Sequence, residues 1–593
     1  MLLKRIILLN LKSGNFFKQK RLKNTLETKT LKRVLNNGPN LKDFIKSGPL
    51  SETQGINNEE LVSNEIFLKN LEKQRNEEEF ESLLNIDKPR KVFFEIHGCQ
   101  MNTNDTEVAY SVLSKTGLYT RTLNEKDADV VLIMTCSIRE NAEQKIWNRL
   151  REYLHQKRSK KTLQIGILGC MAERLKDKIL DKEKLVDIIC GPDSYRLLPD
   201  LLSQSLRTGN SAMNVQLSFE ETYADLAPLR INENSKNAFV SIQRGCDNMC
   251  SFCIVPFVRG RERSRPIKSI IEEIKRLSDQ GIKEVTLLGQ NVNSYHDLSE
   301  KENMSIISEK PIMSKGFKTI YKPKVGGRRF VDLLYQASEV NPEMRIRFTS
   351  PHPKDFPDDL LTLMKEKANI SKTIHLPAQS GSTTCLERMR RGYTREAYIE
   401  LVQKIRDFIP SIAFTSDFIA GFCGETEEEH ADTISLMKLV NYTYCFMYTY
   451  SMREKTRAYH RFTDDVPNEV KQKRYLEMVD VFRETATNLN KSKIGETHLV
   501  LIDQISKRSQ SDYSGRNDNN TLVNFGKKEL PILEDLNDLY KLKNGNENFL
   551  NKNVPNIGDY VACKLTSATS QSFRAEPVFI CKLQTFDKIK NFI

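Results

Sequence analysis

The residues best placed to do chemistry are cysteines set beside glycine. Arg244-Gly245-Cys246-Asp247-Asn248-Met249-Cys250-Ser251-Phe252-Cys253 carries three thiols at three-then-two spacing, so one short loop can wrap a single iron–sulfur cubane. Three protein ligands leave the fourth iron open. An open iron takes the amino and carboxylate groups of S-adenosylmethionine, and an electron from the cluster then breaks the sulfonium bond to release a deoxyadenosyl radical. A structural zinc site wants four protein ligands, and no fourth Cys or His follows at finger spacing.

A second set is dispersed. Val92–Ile96 leads to Gly98-Cys99, Val130–Met134 to Cys136, and Ile165–Leu168 to Gly169-Cys170. Each cysteine follows a strand-like apolar run. The intervals of 37 and 34 residues contain helix-like stretches (Glu107 to Lys115, Ala142 to His155), the length of a strand–helix–strand crossover. In an open parallel sheet ligands gather outside the carboxyl ends of the strands, so three thiolates are expected to converge there on a second cluster. Alone, each cysteine would be read as a small core hydrophobe. Cys190 also ends an apolar run, Val186 to Ile189, and is a rival ligand.

The elements that must position these groups predict an α/β chain of several domains, since 593 residues exceed one core. Past the loop, strands are expected at Phe239 to Ile242, Glu284 to Leu288, Ile346 to Thr349, Thr373 to Leu376, Ala413 to Ile419 and Cys445 to Tyr450. Helical patterns such as Ile267 to Gly281, Phe330 to Val340 and Arg395 to Phe408 intervene, which predicts a partial (β/α)6 barrel with the cluster in its first loop. Glycine-bearing strand ends, among them Gln379-Ser380-Gly381, are expected to let a cofactor approach the backbone. Thr497 to Ile505, Thr521 to Phe525, Tyr560 to Leu565 and Pro577 to Leu583 predict a small all-β domain.

Twelve cysteines are too few for a disulfide scaffold, and no apolar run is long enough to span a membrane. The formal charge of +13 is weak evidence for a nucleic-acid partner. Residues 1–50 hold twelve Lys/Arg against two acids and residues 51–90 five against ten, which leaves +8 for residues 91–593. Lys4, Arg5, Lys12, Lys18, Lys20, Arg21 and Lys23 with no acid in the first 26 residues suit a mitochondrial transit peptide over 1–50; a plain basic tail, and a cytoplasmic or nuclear site, is the other reading. Residues 51–89 read as an acidic linker.

Over residues 90–584 the chain resembles the MiaB-like tRNA methylthiotransferases, a radical S-adenosylmethionine family, and most of all their mitochondrial branch. The matching pieces are His97-Gly98-Cys99-Gln100-Met101-Asn102, Thr135-Cys136-Ser137-Ile138-Arg139, Leu168-Gly169-Cys170-Met171-Ala172-Glu173-Arg174, the radical motif running on to Val255-Pro256-Phe257-Val258-Arg259-Gly260, Ser350-Pro351-His352-Pro353, His375–Ser382, and Ser416-Asp417-Phe418-Ile419. The resemblance implies a methylthiotransferase domain at 90–205, a radical barrel at 232–490 with an insertion near 297–328, and a TRAM-type RNA-binding domain at 493–584 with an insertion near 527–553. Both insertions read as surface elaborations.

It further implies two 4Fe-4S clusters and S-adenosylmethionine as cofactors. Cys246, Cys250 and Cys253 would hold the radical cluster. Cys99, Cys136 and Cys170 would hold an auxiliary one that delivers sulfur, which argues against Cys190. Phe252, Gln379, Ser380 and Gly381 would contact S-adenosylmethionine. The implied substrate is isopentenyl-adenosine at position 37 of a tRNA anticodon loop, converted to its 2-methylthio derivative with help from an electron donor and a sulfur source. Arg259, Arg261, Arg263, Arg265, Lys507, Arg508 and Arg516 are expected on RNA phosphates, with plain solvation as the alternative. The family usually has proline where Cys423 stands, and no role is assigned to that residue. Other readings are a sister enzyme acting on threonylcarbamoyl-adenosine or on a ribosomal protein, and a kinase-regulatory binding protein; the last has no need of six cluster cysteines.

Overall fold

The computed structural model describes residues 88–593 apart from 138–139, 161, 183–185, 221–222, 300–316 and 318–325. The basic leader and residues 51–87 of the acidic linker therefore lie outside the described residues. The first domain is one parallel sheet of six strands: β1 (Arg90–Ile96), β2 (Tyr119–Arg121), β3 (Val130–Thr135), β4 (Gln164–Gly169), β5 (Ile188–Cys190) and β6 (Ala212–Asn214), in the order β2-β1-β3-β4-β5-β6. It runs on to Asn214, past the expected end at 205.

Helices α1 (Gln100–Lys115), α2 (Glu140–Ser159) and α3 (Cys170–Leu175) follow β1, β3 and β4. β3 and β4 are buried at every residue, because helices cover both faces, and separate apolar cores form on the two sides. The chain leaves β1 towards β2 on one side and returns as β3 on the other. That reversal is the topological switch point, where the ends of β1 and β3 open a crevice.

The second domain holds six parallel strands: β7 (Asn237–Ser241), β8 (Glu284–Leu288), β9 (Arg345–Phe348), β10 (Thr373–His375), β11 (Ala413–Ala420) and β12 (Tyr444–Thr449). They form two three-stranded sheets, β9-β8-β7 and β10-β11-β12. Between β9 and β10 there is only a single bridge, Ile346 with Ile370, so the barrel is split rather than continuous. Helices Ile267–Asp279, Phe330–Val340, Asp358–Glu366, Arg395–Phe408 and Glu427–Val440 wrap the largest apolar core. Most of the 297–328 stretch lies outside the described residues, but Phe317 within it is buried against Tyr393, with ring centroids 5.5 Å apart, so the stretch is not purely a surface elaboration.

A 25-residue helix, Asn468–Ser492, leads into the third domain. Strands β13 (Thr497–Ile505), β14 (Asp512–Arg516), β15 (Leu522–Gly526), β16 (Leu530–Leu533), β17 (Tyr560–Ala568) and β18 (Ser572–Cys581) run in the order β15-β14-β13-β17-β18-β16. An added β15–β18 pairing closes them into a small barrel. The 527–553 stretch is likewise more than decoration: β16 pairs with β18, and Leu530, Leu533 and Leu539 are buried. A final helix runs to Ile589, past 584. Arg347, buried on β9, donates to the Asn517 and Asp518 carbonyls at 2.8 and 2.7 Å and clamps this domain to the starting ends of the second domain's strands. No helix among the described residues is long and apolar enough to cross a membrane.

Candidate functional site: two cysteine triads at one cleft

Cys99, Cys136 and Cys170 all lie just beyond the carboxyl ends of β1, β3 and β4, which are adjacent strands, at the switch point. Thr135 pairs with Gly169, so Cys136 and Cys170 leave neighbouring strands at the same level. Cys99 is the N-cap of α1. Gly98, at φ +112°, makes the turn that brings it there, and a Cβ on Gly98 would stand 2.7 Å from the Cys136 Cβ. Only glycine fits that conformation and that space.

Asn102 Oδ1 lies 4.0 Å from Cys99 Sγ and accepts from Arg259 at 3.2 Å, while Arg259 Nε donates to Cys170 Sγ at 3.2 Å. Burial pushes the Cys170 thiol up to about 12, Arg259 opposes that shift, and the charges of Cys136 and Cys99 add to it. Cys190, the rival, is different. It remains inside β5 level with Leu168, is fully buried in one apolar core, and turns its sulfur to the Gly191 carbonyl.

The second triad follows β7. Gly245, at φ +76°, starts the loop, and a Cβ there would collide with the Arg261 carbonyl. Backbone bonds tie the loop to its surroundings: Cys246 N donates to Gly260 O, Ser251 N to Met389 O, and Ala458 N to Ser251 O. Burial pushes the Cys253 thiol up to about 12 and the Cys246 thiol well above its ordinary range. Arg391, buried, donates to Cys250 Sγ at 3.4 Å and to the Pro377 carbonyl at 2.7 Å.

The segment after Cys253 joins the two triads. Ile254 and Val258 share one apolar cluster with Cys170, Phe257 packs against it, and α4 (Val255–Arg259) lies against α3. Cys99 is exposed and Cys253 half-buried, so each triad keeps an open side. Among the described residues no three His, Cys, Asp or Glu side chains are drawn close enough to hold one metal ion. A cubane does not ask for that, because each of its thiolates meets a different iron. A buried guanidinium donating to one sulfur of each triad suits thiolates, which are anionic ligands, better than neutral thiols.

The expected phosphate-binding arginines are mostly internal, which corrects that reading. Arg259 pairs with Asp105 at 2.7 Å, Arg263 with Asp193 at 3.0 Å and Arg265 with Glu273 at 2.8 Å, all buried. Arg261 is half-buried, 3.4 Å from Asp247. Arg516 donates to the Asn520 carbonyl at 2.8 Å. Lys507 and Arg508, on the turn between β13 and β14, are exposed.

Of the expected cofactor contacts, Phe252 is half-buried edge-on to Phe422, and Gln379 holds φ +72° where its backbone pairs with β11. Ser380 and Gly381 instead engage the helix Glu427–Val440. The Gly381 N–H donates to Thr433 Oγ1 at 2.9 Å, and a Cβ on Gly381 would meet Asp432 O at 2.5 Å. The small residue at 381 thus serves helix packing.

Sequence reasoning gave no role to Asp105, Arg244 or Arg391. Asp105 is fully buried on α1 between Arg244 (2.8 Å) and Arg259 (2.7 Å); burial works against its ionisation, yet the two guanidiniums hold its carboxyl below the usual range. The available signal was a helix opening on buried polar residues, Asn102, Asn104, Asp105 and Thr106, one turn after a cysteine.

Residues 91–191 match the family described as Uncharacterized protein family UPF0004, and residues 240–437 the Radical SAM superfamily. The chain is 56% identical over 503 residues to the Mitochondrial tRNA methylthiotransferase CDK5RAP1 of Homo sapiens, covering 82% of this chain and 81% of that one. It is 48% identical to a CDK5RAP1-like protein of Caenorhabditis elegans (82% and 84% covered). It is 46% identical to the tRNA-2-methylthio-N(6)-dimethylallyladenosine synthase of Chloroherpeton thalassium (81% and 94% covered). With two triads at one cleft and likeness of this extent, the chain belongs to the radical S-adenosylmethionine tRNA methylthiotransferase family.

Proposed function

We propose that this chain converts isopentenyl-adenosine at position 37 of tRNA to its 2-methylthio derivative, and does so in mitochondria. The observation that carries the reading is the meeting of the two triads, in which Ile254, the neighbour of Cys253, shares one apolar cluster with Cys170. Radical formation and sulfur delivery then share one cleft, as insertion of sulfur into an unactivated ring carbon requires. Cys246, Cys250 and Cys253 hold one 4Fe-4S cluster, and Cys99, Cys136 and Cys170 the other. When bound, these groups supply the electron that cleaves S-adenosylmethionine and the sulfur to be inserted.

The chain's own residues do the rest. Arg391 and Arg259 orient one sulfur of each triad. Phe252 and Gln379 face the cofactor. Lys507 and Arg508 grip phosphates of the anticodon arm, where an unpaired base is splayed at modest unstacking cost. An electron donor and a sulfur source complete the turnover. The mitochondrial site is supported by the basic leader, whose first 26 residues carry no acid, and by the names of the mammalian relatives.

The test measures 2-methylthio-isopentenyl-adenosine in mitochondrial tRNA from cells lacking the protein; unchanged levels would sink the reading. In vitro, alanine at Cys246, Cys250 and Cys253 abolishes cleavage of S-adenosylmethionine. Alanine at Cys99, Cys136 and Cys170 keeps cleavage and stops methylthiolation, and retained methylthiolation there would refute the assignment of the auxiliary ligands.

A further inference from the structure

Arg259 stands where the triads meet. It ends α4, six residues after Cys253, so it is carried by the radical loop's own exit. Its Nη2 pairs with Asp105 and donates to Asn102 Oδ1, the oxygen beside Cys99, and its Nε donates to Cys170. Its remaining nitrogen, Nη1, is buried without a hydrogen-bond partner. A buried guanidinium is costly unless negative charge surrounds it. Asp105 divides one such charge between Arg244 and Arg259. A neutral thiol is a poor acceptor. The geometry therefore prepares Arg259 for further negative charge, and its Nε, on Cys170 Sγ, meets it on the side of the Cys99–Cys136–Cys170 triad.

We propose, resting on the reading of that triad as cluster ligands, that Arg259 is a positioning and charge-tuning residue of the auxiliary cluster. Its Nε–H fixes the Cys170 sulfur, and its positive charge raises the cluster's reduction potential, because reduction adds negative charge that a nearby cation stabilises. The radical cluster is tuned separately, through Arg391 on Cys250.

The test is an EPR-monitored redox titration of the anaerobically reconstituted full chain. Alanine at Cys246, Cys250 and Cys253 isolates the auxiliary cluster, and alanine at Cys99, Cys136 and Cys170 isolates the radical one. In the first background Arg259→Gln shifts the midpoint potential to more negative values. Arg259→Lys, which keeps a charge against Asp105 but has no Nε–H, falls between the two. In the second background Arg259→Gln leaves the potential where it was. An unchanged auxiliary potential in a variant that holds its iron overturns the proposal, and so does an equal shift in both clusters. If Arg259→Gln does not retain iron, Arg259→Lys decides by the same criterion. If the first background binds no iron with Arg259 intact, the ligand assignment itself fails and the proposal falls with it.

Discussion

The loop triad and the sheet triad reach the same chemistry by opposite routes. Cys246, Cys250 and Cys253 fall within eight consecutive residues, and their spacing alone allows convergence. Cys99, Cys136 and Cys170 depend on three strands lying side by side in register, at a switch point that exists only once β1, β3 and β4 have paired. The first site is a property of a loop, the second of a topology. Damage should therefore separate them, and the carboxylate that Arg244 and Arg259 share between them should be the place where both suffer.

The largest effect is expected at that junction. Asp105→Asn leaves Arg244 and Arg259 buried with their shared carboxylate removed, which costs on the order of 3–5 kcal/mol. Thermal unfolding would show it, together with lowered iron at both sites; loss at only one site would mean that the junction is not shared.

Next come two substitutions chosen to divide the triads. Leu132→Ala, at a fully buried position of β3, costs about 2–5 kcal/mol and lowers auxiliary iron while sparing the radical loop. Gly245→Ala forces a Cβ into the Arg261 carbonyl at positive φ, at about 1–3 kcal/mol of strain, and does the reverse. Iron content in the two single-cluster backgrounds checks both, and equal losses would erase the contrast between loop and sheet.

A smaller effect depends on pH. Burial pushes the Glu107 carboxyl, on α1, up to about 7 from an ordinary value of 4.5. The folded chain then holds that proton more tightly than the unfolded one, so this group's contribution is complete below about 4.5 and is lost as pH rises through about 7. The melting temperature of the wild type should fall relative to Glu107→Gln across that window, by an amount worth a few kcal/mol at most. A constant difference would contradict it. The smallest effect is expected from Cys190→Ala: as a core residue of β5, it should change stability by about 1–2 kcal/mol and iron content not at all.

The placement of the cysteines was legible in the sequence because apolar runs leading to Cys99, Cys136 and Cys170, and a three-then-two cysteine loop, carry it in their spacing. The arginine run from 259 to 265 was misread for the opposite reason: a sequence shows charges but not their partners, and Asp105 and Asp193 come from the other domain. β14 and β16 are not among the expected strands, and each carries a residue that weakens a strand pattern, Gly515 and Pro531. In the fold Gly515 lies against the Leu501 carbonyl, where a side chain would not fit, and β16 is a short strand near the sheet's edge, where proline is tolerated. The split between β9 and β10 has no local signal, since strand pairing is decided by closure of the whole barrel.

The most direct test of two sites of different origin is iron and acid-labile sulfide per chain after anaerobic reconstitution, in the intact protein and in the two triple-alanine variants. The account predicts about eight irons, falling to about four in each variant. Zinc in place of iron, or one variant losing both clusters while the other loses none, would contradict it.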